Sequence, residues 1–134
     1  MKRALQVTVV VLSLLPLTFG TLGLVLGAAM YSPVEAATPK LDSPFRFMSA
    51  ADIGLAFVAW WLARNIDRHT GLFRIVCLAV FLGGLGRVAA WYFTGTPGTL
   101  FIVVTAIELL VPLLIPWQTY VAHQAQLAHA PGSP

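Results

Sequence analysis

Residues 4–30, ALQVTVVVLSLLPLTFGTLGLVLGAAM, decide the fold class of this chain, because they contain no charged side chain. About 20 apolar residues in a helix cross a bilayer, whereas the apolar core of a secretory signal peptide has about 7–15. The run follows Lys2 and Arg3, as a signal peptide would, but its length favours a retained membrane helix. Cleavage after the small residues near 34–36 stays the alternative. Pro16 lies inside the run, and membrane helices tolerate such a proline.

Three more apolar segments follow, separated by polar or turn-forming stretches. We expect spans at about residues 4–30, 47–63, 72–93 and 99–117, followed by a mobile tail at 118–134. The pairs Trp60-Trp61 and Trp91-Tyr92 lie near span ends, where amphipathic rings favour the headgroup region. The pattern predicts a single all-α domain, an integral membrane four-helix bundle.

Composition supports the same class. The 134 residues are 58% hydrophobic and 10% charged, against about 25% charged in typical soluble domains. The net charge of +3 does not indicate a nucleic-acid partner, because the basic residues lie beside apolar segments and form no aromatic-lined basic face. Cys77 is the one cysteine, which excludes an intrachain disulfide and indicates a small core residue.

The Lys and Arg residues near the helix ends predict the orientation. Five lie on one side and two on the other: Lys2, Arg3, Arg64, Arg68 and Arg74 against Lys40 and Arg46. Since cytoplasmic loops carry the excess of basic residues, both termini are expected in the cytoplasm. The prediction is a multi-pass protein of the inner (plasma) membrane, N-in and C-in.

Ionisable residues within or beside the spans are the candidate site. They form an intramembrane polar cluster of Arg46, Asp52, Arg87 and Glu108. Each charge inside a span costs roughly 2.5–3.5 kcal/mol, so such residues pair or function. Counting helical rise places all of them in the outer half of the bilayer. We expect Arg87 to pair with Glu108, and Arg46 with Asp52, fixing helix register. A pocket for a small ligand, a lipid headgroup or a proton is the alternative.

Small residues recur on one face of the third span, at Ala79, Gly83, Gly86 and Ala90. A similar stripe on the first span contains Gly20, Gly23 and Gly27. Small residues let neighbouring helices approach closely. Packing within the chain is the favoured interpretation, and a homodimer surface is the alternative.

No catalytic residue, metal site or cofactor is predicted. His69, His123 and His129 fall on the predicted cytoplasmic side, and the last two are not spaced as i, i+4 ligands on one helix face. The acidic residues near the outer side cannot join them in a hydrolase triad. Whether the protein is an enzyme stays open, with the pattern leaning against it.

Four segments carry a family resemblance: LDSPFRF at 41–47, ARNIDRH at 63–69, FLGGLGR at 81–87 and IEL at 107–109. Together they resemble the bacterial family called domain of unknown function 4345, over roughly Gly20 to Gln118. The resemblance implies a small four-span membrane protein without an assigned activity. It also implies that Arg46, Arg87 and Glu108 correspond to the family's recurring polar residues.

The functional hypothesis is a non-enzymatic bundle that packs with a partner protein or lipid, either as a homo-oligomer or with another membrane protein. The alternative is binding or transport of a small molecule, lipid or proton through the polar cluster. Transporters usually show interrupted helices and an internal repeat, and no convincing repeat is present here.

Overall fold

The structure, a computed structural model, describes residues 1–31 and 38–129, and its regular elements are helices. They are α1 (Lys2–Leu26) with a 3₁₀ turn (Gly27–Met30), α2 (Pro39–Arg64), α3 (Thr70–Thr94), α4 (Thr99–Leu110), a 3₁₀ turn (Val111–Leu113) and α5 (Leu114–His129). The described ranges contain no strand, so the predicted all-α class is confirmed. Residues 34–36, considered above as a cleavage site, and residues 130–134 of the predicted tail lie outside the described residues.

Four stretches of the described chain are long and apolar enough to cross a membrane: Lys2–Met30, Pro39–Arg64, Thr70–Thr94 and Thr99–Ala128. At 1.5 Å per residue the shortest is about 37 Å long, which exceeds a hydrocarbon core of about 30 Å. Large apolar side chains point outward along them; Tyr92 and Phe93, for example, are 86% and 80% exposed. Surface of this kind suits lipid and does not suit water.

The chain divides into two compact units. Residues 6–64 form the first, which holds nearly all of α1 together with α2 and is called the α1–α2 unit here. Residues 1–5 and 65–129 form the second, the α3–α5 unit. Buried residues of the α1–α2 unit include Ser13, Ser49 and Ala56, and those of the α3–α5 unit include Phe73 and Gln118.

Glycine and proline set several helix ends. Gly27, where α1 gives way to the 3₁₀ turn, has φ +64°, and Gly95, after α3, has φ +94°. Only glycine adopts such angles without steric cost. Pro112 lacks an N–H and lies in the 3₁₀ turn between α4 and α5, so the fourth apolar stretch is two helices in series.

Two helices extend beyond the predicted spans. The second helix begins at Pro39, not near residue 47, because Asp42 and Arg46 neutralise each other and Pro39 occupies a first-turn position that needs no N–H. The last helix continues past residue 117 to His129, through most of the predicted tail. Gln118, Val121 and Ala122 are buried along it, so this segment has a packed face although its sequence looks polar.

Candidate functional site

Arg87 of α3 and Glu108 of α4 form the predicted ion pair. Arg87 Nε lies 3.0 Å from Glu108 Oε2, and the two side chains are 43% and 19% exposed. The turn at 95–98 makes α3 and α4 antiparallel neighbours, which brings these side chains together. Arg87 is seven residues before the end of α3, hence about 10 Å along the helix from its end. The predicted contact is confirmed, and it leaves nearly half of the arginine side chain accessible.

Close packing of α3 on α4 depends on Gly84. A Cβ placed there would be 3.1 Å from Glu108 Cβ and 3.2 Å from Leu109 Cδ2, so the helices touch at this point without room for a side chain. Gly84 thus lets Glu108 approach α3. In contrast, a Cβ at Gly83 or Gly86 would meet nothing within 4 Å.

The predicted packing stripe of α3 therefore lies away from the α3–α4 contact. Its members are all exposed: Ala79, Gly83, Gly86 and Ala90. The buried positions of α3 are Phe73, Cys77 and Gly84, which follow a different helical face. The sequence does not single out Gly84, because Gly83 and Gly86 lie within two residues of it and spacing alone does not tell which of the three faces inward.

Arg46 pairs with Asp42 in the structure, whereas the sequence predicts a pair with Asp52. Arg46 Nε donates to Asp42 Oδ2 at 2.7 Å, and the two residues are one helical turn apart on α2. Arg46 Nη1 also donates to the backbone carbonyls of Leu24 and Val25. The pairing with Asp42 is favoured because it lets one guanidinium satisfy carbonyls at the end of α1, which have no partner within the helix.

Asp42 completes this arrangement, called the helix-end clamp here. Its Oδ1 accepts a hydrogen bond from the backbone N–H of Ala28 at 2.9 Å, while Oδ2 accepts from Arg46. A Cβ at Gly27 would collide with Asp42 Oδ1 and lie 2.6 Å from Arg46 Nη2. The i, i+4 spacing of Asp42 and Arg46 was the available sequence signal, but these residues were assigned to a loop and its boundary.

Gly20 and Gly23 bring α1 against α2. A Cβ at Gly20 would lie 2.6 Å from the Ser49 carbonyl oxygen, and one at Gly23 would collide with Ser49 Oγ. The prediction that the glycines of the first span serve packing within the chain is confirmed. Asp52 is half-buried on the same face of α2. Its Cβ lies 3.1 Å from the position that a Cβ at Gly20 would occupy.

A second polar group lies at the other end of the α3–α5 unit. Lys2 Nζ lies 2.9 Å from Asp67 Oδ2, and this hydrogen bond lowers the pKa of Asp67, although partial burial opposes the shift. Gln118, 0% exposed, donates to the Ile66 carbonyl at 2.7 Å and to Thr70 Oγ1 at 3.0 Å. The sequence predicts Gln118 as the first residue of a mobile tail, whereas the structure buries it.

The predicted cluster has two members in each unit. Arg46 and Asp52 belong to the α1–α2 unit, and Arg87 and Glu108 to the α3–α5 unit. Within residues 1–31 and 38–129, no three His, Cys, Asp or Glu side chains come together as metal ligands would. His69 and His123 are exposed, and the side chain of His129 lies outside the described part.

Comparison with known proteins places the chain in a family. A family model described as domain of unknown function (DUF4345) matches residues 4–118. The chain belongs to this family. The match covers the α1–α2 unit, α3, α4 and the start of α5, so the DUF4345 domain includes the Asp42–Arg46 and Arg87–Glu108 pairs. No curated protein and no solved structure matches the chain.

Proposed function

We propose that this DUF4345 protein is a non-enzymatic component of the bacterial inner membrane that packs α3 against a second membrane-spanning polypeptide. The observation that carries the proposal is the exposure of the Arg87–Glu108 pair. Its arginine is 43% exposed about 10 Å along an apolar helix from its end. A guanidinium facing acyl chains at that depth is costly, and a covering polypeptide would remove the cost.

The small-residue face supports a polypeptide as the occupant. Gly83, Gly86 and Ala90 are exposed next to Arg87 in the helical sequence. Lipid chains adapt to any surface, whereas close helix–helix contact requires small residues on at least one partner. An exposed arginine beside a helix face of small residues therefore fits a second helix better than lipid alone.

A binding or transport pocket built from the four charged residues is less well supported. Arg46 already donates to Asp42, Leu24 and Val25, so its guanidinium stabilises the helix-end clamp. A pocket would have to break these hydrogen bonds to recruit it. Packing requires no such change.

Cysteine cross-linking in native membranes tests the proposal. In a Cys77→Ala background, Gly83→Cys and Gly86→Cys should form cross-links with a bifunctional reagent. Leu85→Cys, exposed but about 100–160° around the helix from both glycines, is the matched control and should give far fewer. Mass spectrometry of the adducts would tell a second copy from another membrane protein. Equal cross-linking at all three positions, or none at any, would refute the proposal.

A further inference from the structure

A cleft lies at the end of the α3–α5 unit opposite the Arg87–Glu108 pair. The cleft has a volume of about 370 Å³ and is lined by Met1, Lys2, Tyr120, Val121, Gln124 and Ala125. This volume lies within the roughly 300–1,000 Å³ of small-molecule sites. None of the lining residues belongs to α3.

The two kinds of lining residue divide the cleft chemically. Val121 and Ala125 are apolar, whereas Lys2, Tyr120 and Gln124 carry an ammonium, a hydroxyl and an amide. An ammonium has three N–H donors, and the hydrogen bond from Lys2 to Asp67 uses one of them. Lys2 therefore has donor capacity for an anion in the cleft.

Charge around the cleft is also unbalanced. Asp67, which pairs with Lys2, is the acidic residue at this end of the unit. Four basic residues lie at or near the same end: Lys2, Arg3, Arg68 and Arg74. Arg74 Nη2 donates to Thr119 Oγ1 at 3.3 Å, so it reaches α5 next to Tyr120. One carboxylate cannot neutralise this group, and the cleft lies in a positive potential.

We propose that this cleft binds the phosphate headgroup of an anionic phospholipid, with the adjoining glycerol and acyl chain against Val121 and Ala125. Basic pockets between membrane helices recognise such headgroups, and the positive-inside prediction places this end at the anionic cytoplasmic leaflet. Lys2 and Gln124 hold the phosphate. Arg3 and Arg74 attract it from the surrounding surface.

Native mass spectrometry in a nonionic detergent tests the proposal without the field of a charged bilayer. Phosphatidylglycerol and phosphatidylcholine with identical acyl chains are added to the whole protein. The protein should retain phosphatidylglycerol preferentially, and Lys2→Gln should weaken that retention about fivefold, the equivalent of about 1 kcal/mol for one basic residue. Arg68→Gln removes the same charge from the neighbouring turn, but Arg68 does not line the cleft, so this variant should weaken retention much less than Lys2→Gln.

A variant that keeps every charge distinguishes binding in the cleft from general electrostatic attraction of the lipid. Ala125→Phe fills the cleft and should abolish the preference for phosphatidylglycerol, whereas Leu127→Phe, an exposed position on the same helix, should not. Equal effects of the two phenylalanines, or of Lys2→Gln and Arg68→Gln, would overturn the proposal. Displacement of the lipid by an equal concentration of inorganic phosphate would overturn the lipid assignment, since free phosphate cannot use the apolar wall.

Discussion

The helix-end clamp of the α1–α2 unit and the Arg87–Glu108 pair of the α3–α5 unit use the same chemistry in different ways. Asp42 and Arg46 lie on one helix and reach across to Ala28 N–H and to the carbonyls of Leu24 and Val25. Arg87 and Glu108 lie on different helices and meet each other. The clamp therefore stabilises the backbone at the end of α1, while the second pair joins two helices through side chains.

Glycines follow the same division. In the α1–α2 unit, Gly20, Gly23 and Gly27 are all places where a Cβ would collide with α2. In α3, only Gly84 of the described glycines is close to a neighbour, and Gly83 and Gly86 are open. Equal spacing of small residues thus has opposite consequences in the two units. The reason is that α2 packs on the small-residue face of α1, whereas α4 packs on another face of α3.

The largest expected effect concerns the side of the membrane on which these regions lie. Reporter fusions that distinguish cytoplasm from exterior, placed after Ala36, Asp67, Pro97 and Ala130, should read out, in, out and in, since Arg64, Arg68 and Arg74 surround the second turn. Each readout is all-or-none. An exterior signal after Asp67 would reverse the assigned orientation, and it would also place the lipid cleft at the wrong leaflet.

Gly27→Ala should be the most destabilising single substitution of a glycine. It forces a left-handed φ on a residue with a Cβ and drives that Cβ into Asp42 and Arg46, at a combined cost of about 2–4 kcal/mol. Thermal unfolding in detergent measures the effect. Gly84→Ala should cost less, about 1 kcal/mol, since its nearest contact is 3.1 Å.

Gly54→Ala is the matched control for both glycine substitutions. Gly54 lies within α2 with nothing near its missing Cβ, so alanine should stabilise the helix by up to about 1 kcal/mol. If Gly27→Ala were as well tolerated as Gly54→Ala, the clamp would not hold the end of α1.

Double substitutions should distinguish the role of the Arg87–Glu108 pair from that of the Asp42–Arg46 pair. Arg87→Leu or Glu108→Leu leaves one charge uncompensated and should each cost about 1–3 kcal/mol, reduced from the cost in a fully buried pair by the exposure of Arg87. The double variant should recover much of that loss. Thermal unfolding in detergent of all three variants is the measurement.

The corresponding double variant of the clamp, Asp42→Leu with Arg46→Leu, should recover little. It leaves Ala28 N–H and the carbonyls at the end of α1 without these partners, and their loss does not cancel. Additive losses from the Arg87 and Glu108 single variants, with no recovery in the double variant, would show that those residues do not stabilise each other.

The smallest expected effect is the pH dependence contributed by Asp67. Because the folded state lowers its pKa, the carboxylate contributes stability above the ordinary value of about 3.9, and this contribution is lost as pH falls through the lowered pKa. Lys2 is 46% exposed, so the contribution should stay below about 1 kcal/mol. Unfolding followed between pH 6 and pH 3 should show a shallower loss for Asp67→Asn than for the parent protein, and identical curves would contradict the assigned shift.

Several features followed from the sequence because they depend on local composition. The apolar run 4–30 contains no charge, so it predicts a membrane span whatever packs against it. The turn at 95–98 is too short for any arrangement but antiparallel neighbours, so Arg87 and Glu108 could be paired by counting helical rise. Apolar length and turn length are properties of the chain itself.

Other features needed the tertiary structure because a local pattern is compatible with several partners. Arg46 and Asp52 lie about 120° apart around α2, whereas Asp42 is one helical turn from Arg46 and the carbonyls at the end of α1 accept from the same guanidinium. Gly83, Gly84 and Gly86 are equally small, but one alone faces α4. Gln118 looks solvated in the sequence, yet its amide donates to Ile66 and Thr70. The last helix continues past it to His129. The sequence by itself determined which segments are helical and apolar, whereas only packing decided which polar group meets which, because hydrogen-bond partners far apart in the chain are chosen by the face each helix presents.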